Sequence, residues 1–193
     1  MTTTAKAPPE MEIALLGFLR HEPMHAYEIY LRLRHAKSLG LVWTLKQGHL
    51  YALLARLEDL GYLIGDIQQQ ASRPPRKVLA LTDAGRDAYE EWLAEPVAHG
   101  RDFRLTFLAK LFFASQEGER HVSTLIARQR AACEQWLADL HQRIDTLTGD
   151  QRYERLVLAF RASQIEAILV WLDQCDASLG AGAALKESSR LHS

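Results

Sequence analysis

Side chains that carry positive charge or donate hydrogen bonds gather in two short stretches of the chain. The first holds Lys46, Gln47, His49, Tyr51 and Arg56, with the small Ala52 on the same face, and the second holds Arg73, Arg76 and Lys77 around Pro74 and Pro75. Cationic and amide groups at a helix start suit a phosphate, because the unpaired amides and the positive end of the helix dipole draw an anion there. Other chemistries lack their residues. No Ser/His/Asp arrangement, glycine-rich phosphate loop or paired acidic site stands at a recognisable spacing, so an enzyme is not expected. His21, His25, His35 and His49 are scattered, with no helical His-x3-His or Cys-x2-Cys pair, and neither a metal nor a cofactor is expected. Cys133 and Cys175 lie far apart, which reads as two reduced core thiols.

The elements that must position these groups follow from periodicity. An apolar segment with Ile13, Leu15, Leu16, Phe18 and Leu19 lies between Pro9 and Pro23 and reads as a short buried helix. A second helix follows Pro23 and ends near Gly40, with Tyr27, Ile29, Tyr30, Leu31 and Leu33 inward. In the third, Leu50, Leu53, Leu54, Leu57 and Leu60 recur every three or four residues and Gly61 stops the pattern. Its other face carries the polar set beginning at Lys46. The runs 62–67 and 78–81 are β-prone and read as a hairpin whose tip holds Arg73, Arg76 and Lys77. Thr82-Asp83 then caps a helix stopped by Pro96. The expected fold is mainly α: an N-terminal winged helix-turn-helix with a two-stranded wing, over 10–88, and a C-terminal helical dimerisation and effector domain, over 89–180. Residues 1–9 and 181–193 are expected to be flexible termini.

Length and composition fit this reading. The chain has 193 residues, 48% hydrophobic and 24% charged, the balance of an ordinary globular protein. Met1–Pro9 lacks the apolar core of a signal peptide and no run reaches the roughly 20 apolar residues of a membrane span, so a cytoplasmic protein without a membrane partner is expected. The net charge of −1 divides into +2 over residues 1–88 and −3 over the rest. So small an asymmetry says little about nucleic acid; placement has to carry the argument.

At the same residues the sequence resembles the PadR family of transcriptional regulators. Pro23-Met24-His25-Ala26-Tyr27-Glu28-Ile29 is similar to that family's P-M-H-G-Y-E-[IL] segment. Gly48-His49-Leu50-Tyr51-Ala52-Leu53-Leu54-Ala55-Arg56-Leu57-Glu58 resembles G-T-L-Y-P-x-L-x-R-L-E, and Arg76-Lys77 with Leu81-Thr82-Asp83-Ala84-Gly85 resembles the wing strand and its exit. The resemblance implies a repressor-like regulator that binds a palindromic operator in double-stranded DNA as a homodimer and responds to a small effector, phenolic acids being one class. It also implies that Tyr51 contacts a phosphate, that Gly48 admits the nucleic-acid backbone, and that Arg76 and Lys77 hold its flanks. Ala26, His49 and Ala52 depart from the pattern, which puts base preference in doubt.

Several roles stay open in the sequence. Tyr51 also suits a core position, and Arg56 also suits pairing with a nearby carboxylate such as Asp59. Beyond Arg101 the chain reads as helices, with Cys133, Leu137, Leu140 and Ile144 on one and Ile165, Ile168 and Leu172 on another as a dimerisation seam. Trp92, Trp136 and Trp171 suit either the core or the walls of a pocket for a small aromatic effector. The competing function is an adaptor whose winged helix binds another protein through its helical dimer.

Overall fold

The structure, a computed structural model, describes residues 10–70 and 73–190. Two compact units result: one holds the described residues up to Leu93 together with Arg104–Phe113, the other holds Ala94–Phe103 and the described residues from Ala114 onward. The sequence puts the domain boundary near Ala88. In the structure Tyr89, Trp92 and Leu93 are all buried, and this segment of the first unit runs through Leu93.

In the first unit, α1 (Glu10–Ile13) passes into a 3-10 segment, Ala14–Leu19, that buries Ala14, Leu15, Leu16 and Leu19. The helix expected to reach Gly40 is two helices, α2 (Ala26–His35) and α3 (Lys37–Gly40). The break is Ala36, whose φ of −71° and ψ of 78° are not helical. Ile29 and Leu33 face the core as expected, but Tyr27 does not: it is 54% exposed. The third helical pattern is α4 (Gln47–Asp59), with Leu50, Leu54 and Leu57 buried. It ends as Gly61 predicts. Gly61 has φ 77°, its N–H donates to Glu58 O, and the Tyr62 N–H donates to Leu57 O. These paired bonds satisfy carbonyls that the helix end would leave open, in a backbone conformation that costs glycine little.

The hairpin is longer than its apolar runs suggest. β2 (Leu63–Gln70) and β3 (Arg73–Leu81) pair antiparallel, with Leu63 opposite Leu81 and Gln68 opposite Arg76. Arg76 and Lys77 therefore sit on a strand, not on a loop. A third strand, β1 (Met24–His25), pairs with β3 at Leu79 and Val78, so the two-stranded wing belongs to a sheet of order β1-β3-β2. Because β1 is so short, β3 keeps an open edge before Val78, where Pro74 and Pro75 forfeit no ladder bond on that side.

Thr82 caps α5 (Asp83–Ala94): its Oγ1 accepts from the Gly85 N–H at 3.0 Å and donates to Gly61 O at 2.7 Å. The hydroxyl thus ties the end of α4 to the start of α5. Gly85 leaves no room for a side chain, since a Cβ there would lie 2.0 Å from Tyr62 O.

After a 3-10 turn at Gly100–Arg104, the chain forms α6 (Thr106–Glu117), α7 (Glu119–Asp145) and α8 (Arg152–Arg190). Residues 181–190, expected to fray, continue α8. Residues 1–9 and 191–193 lie outside the described residues. In the second unit α7 packs along α8, and Arg130 bridges to Asp173 at 2.5 Å. Cys133, Ile165 and Leu172 are buried in this packing, while Leu137, Leu140, Ile144 and Ile168 are half-buried. The seam offered to a second chain is therefore spent, at its buried positions, within one chain. Among the side chains described on α8, the large apolar ones left exposed are Tyr153, Leu156, Phe160 and Val170.

Candidate nucleic-acid interface

Burying Leu50, Leu54 and Leu57 forces the rest of α4 outward, and Lys46, Gln47, Gly48, His49, Tyr51 and Ala52 are all exposed. Lys46 takes the N-cap position with extended backbone and makes no side-chain cap bond. The first amides of any helix lack partners within it, so this end offers donors outward. Tyr51 is 38% exposed rather than in the core, and Gln47 Nε2 donates to its hydroxyl oxygen at 3.0 Å. That bond between residues four apart holds the phenol on the outer face while leaving its own O–H free to donate. Gly48 has no neighbour within 4 Å of where a Cβ would stand, so nothing within the chain requires glycine there.

Arg56 is drawn elsewhere. Its Nη1 lies 3.0 Å from Glu12 Oε1, and Glu12 is 6% exposed. The second oxygen of Glu12 has no hydrogen-bond partner among the described residues, so Arg56 supplies the neutralising charge for a carboxylate held out of water. Asp59, the partner the sequence suggests, is not the one used.

The wing follows a similar division. Lys77 Nζ bridges to Glu58 Oε2 at 2.5 Å and its carbonyl lies 3.0 Å from His25 Nδ1, which fastens β3 to α4 and to β1. Arg76 is exposed on the strand. The side chain of Arg73 lies outside the described residues.

One cluster escaped the sequence reading. Tyr27 and Tyr30 stand 6.3 Å apart on α2, and Arg34 lies 5.7 Å over the Tyr30 ring. Their place among the apolar residues Ile29, Leu31 and Leu33 hid the fact that Tyr27 points away from the core. On the same helix Arg32 is engaged by Glu22 and Glu28, whose hydrogen bonds raise its pKa, Glu22 most strongly.

The three tryptophans do not share one environment. Trp92 is buried in the first unit against Tyr89 and Phe113, with Lys110 Nζ 5.3 Å from its ring centre, whereas Trp136 lines a cleft of the second unit. Trp171 is half-buried on α8. Burial raises the pKa of Cys133 and of Cys175, which keeps both thiols protonated at neutral pH. No group of three or more metal-ligating side chains occurs among the described residues.

Comparison with known proteins places this face in context. Residues 15–91 match the transcriptional regulator PadR-like family, and residues 103–180 match the family described as virulence activator alpha C-term. The negative transcriptional regulator PadR of Bacillus subtilis is 26% identical over 130 residues, covering 67% of this chain and 70% of that one. A probable transcriptional regulator of Mycobacterium tuberculosis is 32% identical over 91 residues, and the match spans 47% of each chain. Among solved structures, that of Bacillus subtilis PadR in complex with operator DNA is 22% identical, covers 90% of this chain and 99% of that one, and has a TM-score of 0.45. The exposed face of α4 and the strands of the wing thus lie inside residues 15–91, which form a domain of the PadR-like family of transcriptional regulators.

Proposed function

We propose that the chain represses transcription by binding a palindromic DNA site as a homodimer and that a small effector releases it. The observation that carries the reading is the outer face of α4, where exposed Lys46, Gln47, His49 and Tyr51 flank a glycine the chain itself does not need. In such a head the exposed helix enters the major groove, and two of them on a twofold dimer stand about 34 Å apart, one turn of the duplex. Gly48 admits the backbone closely, the free Tyr51 hydroxyl donates to a phosphate, and Arg76 on the wing, with Arg73, holds the flanking strand. Lys77 reaches the same strand only by exchanging Glu58 for phosphate. Arg56 acts chiefly by fixing α4 on Glu12. The similarity to a negative regulator supports repression.

The exposed stripe Tyr153, Leu156, Phe160 and Val170, in place of the buried seam, is the surface on α8 for the second copy. An effector releases DNA only by favouring the state that binds it less well.

Footprinting on fragments upstream of the chain's own gene tests the proposal. Two protected half-sites, related by a twofold axis and separated by one helical turn, are expected. Absence of any protected site at low salt would overturn the reading and leave the winged helix as a protein-binding adaptor.

A further inference from the structure

We propose that the second unit holds a binding site for an organic dianion of nucleoside monophosphate size, with an aromatic ring at one end, in the cleft between α7, α8 and the segment 98–101. The cleft encloses about 730 Å³, within the range of small-molecule sites. Its floor and walls include Arg101, Trp136, Asp139, Arg143, Arg161 and Gln164.

The segment that roofs it is fixed, not loose. Gln129, fully buried on α7, accepts from the Val97 N–H at 2.8 Å, and Arg128 donates to Ala94 O at 3.2 Å. A Cβ on Gly100 would lie 3.1 Å from Ile165 Cδ1, so this backbone sits directly on α8.

Charge sets the class of ligand. Among the described residues neither Arg143 nor Arg161 has an ion-pair partner, although both line the same cleft. A second hollow, of about 350 Å³, is bordered by the same two arginines and by Glu154, which forms no ion pair with either among the described residues. Arg101 has only a loose contact with Asp102, at 3.7 Å. Two unneutralised guanidiniums call for two negative charges, and their flat, forked donors match a phosphate. Asp139, which accepts from Gln135 at 2.8 Å, repels an anion from the middle of the α7 wall and directs it toward the arginines.

Spacing sets the shape. Trp136, Asp139, Leu140 and Arg143 follow one face of α7, and seven residues of helix put the indole and the Arg143 position about 10 Å apart along the axis. A ligand spanning them has an aromatic ring against Trp136 and its dianionic group at Arg143 and Arg161. The Gln164 amide is left to bond the polar middle.

Nothing in this assignment involves DNA, so titration calorimetry of the full chain without DNA tests it separately from repression. The probes are the four nucleoside monophosphates, their nucleosides, inorganic phosphate and benzoate. At least one monophosphate is expected to bind once per chain, more tightly than its nucleoside, phosphate or benzoate. Arg143→Gln and Arg161→Gln should each weaken it about tenfold, the loss expected for one charged hydrogen-bonding partner, without moving the thermal midpoint. Arg104→Gln, outside the cleft, should change nothing. No binding by any monophosphate, benzoate binding as tightly, or full affinity in both arginine variants would each overturn the site.

Discussion

Gly48 separates what the chain needs from what a partner needs. A Cβ there meets open space, and alanine is preferred to glycine inside a helix by about 1 kcal/mol, so Gly48→Ala is expected to hold or raise the thermal midpoint. On the proposed function the same change weakens DNA binding, because the methyl group stands where the nucleic-acid backbone approaches. A drop in both would place the glycine in the fold instead. Arg56 is the opposite case. Arg56→Ala strips Glu12 of its partner and is expected to cost about 1–3 kcal/mol in urea unfolding, the cost of leaving a buried acceptor unsatisfied. Unchanged stability with lost DNA affinity would make Arg56 a direct contact after all. At this scale the sequence named the exposed set on α4 but not the partners of Arg56 and Lys77. Glu12 lies 44 residues from Arg56, and no periodicity within one helix reports so distant a carboxylate.

The junction of α4, the wing and α5 is held by a few backbone groups around Tyr62 and Thr82. The Tyr62 carbonyl accepts from the Thr82 N–H at 3.1 Å and would collide with any side chain at position 85. Gly85→Ala is therefore expected to destabilise the first unit by more than the ~1 kcal/mol that losing a helix cap costs, and Thr82→Ala by about that amount. Thermal unfolding of the two variants ranks them; a Gly85→Ala protein as stable as wild type would contradict the packing. Much of this junction was legible, since Gly61 and Thr82 are standard stop and start signals and the structure uses both. The extent of the wing was not, because polar Gln68 and Gln70 and the Pro74-Pro75 pair disguise strand as loop. β1 was missed for a similar reason: two residues between a proline and a helix give no alternation to read. The helices of the second unit were legible from leucine and isoleucine spacing, but that spacing cannot say whether its partner helix belongs to the same chain.

For the whole molecule that ambiguity decides how two copies meet. Cys133, Ile165 and Leu172 are occupied within the chain, and an exposed row of Tyr153, Leu156 and Phe160 at three- and four-residue steps is left on α8. Leu156→Glu with Phe160→Glu is expected to give a folded monomer by light scattering, while a dimer unaffected by both charges would move the interface elsewhere. No helix among the described residues is long and apolar enough to cross a membrane. Fluorescence anisotropy checks whether the exposed face of α4 and the wing bind DNA. Labelled fragments from upstream of the chain's own gene are titrated at low and moderate salt with wild type and with a Tyr51→Ala, Arg76→Ala double variant. Sequence-selective binding that weakens with salt is expected for wild type, together with lower affinity and a salt slope reduced by about 1 to 2 for the variant, as phosphate contacts are lost. Equal affinity and equal slope for the two proteins would mean that this face does not hold the DNA.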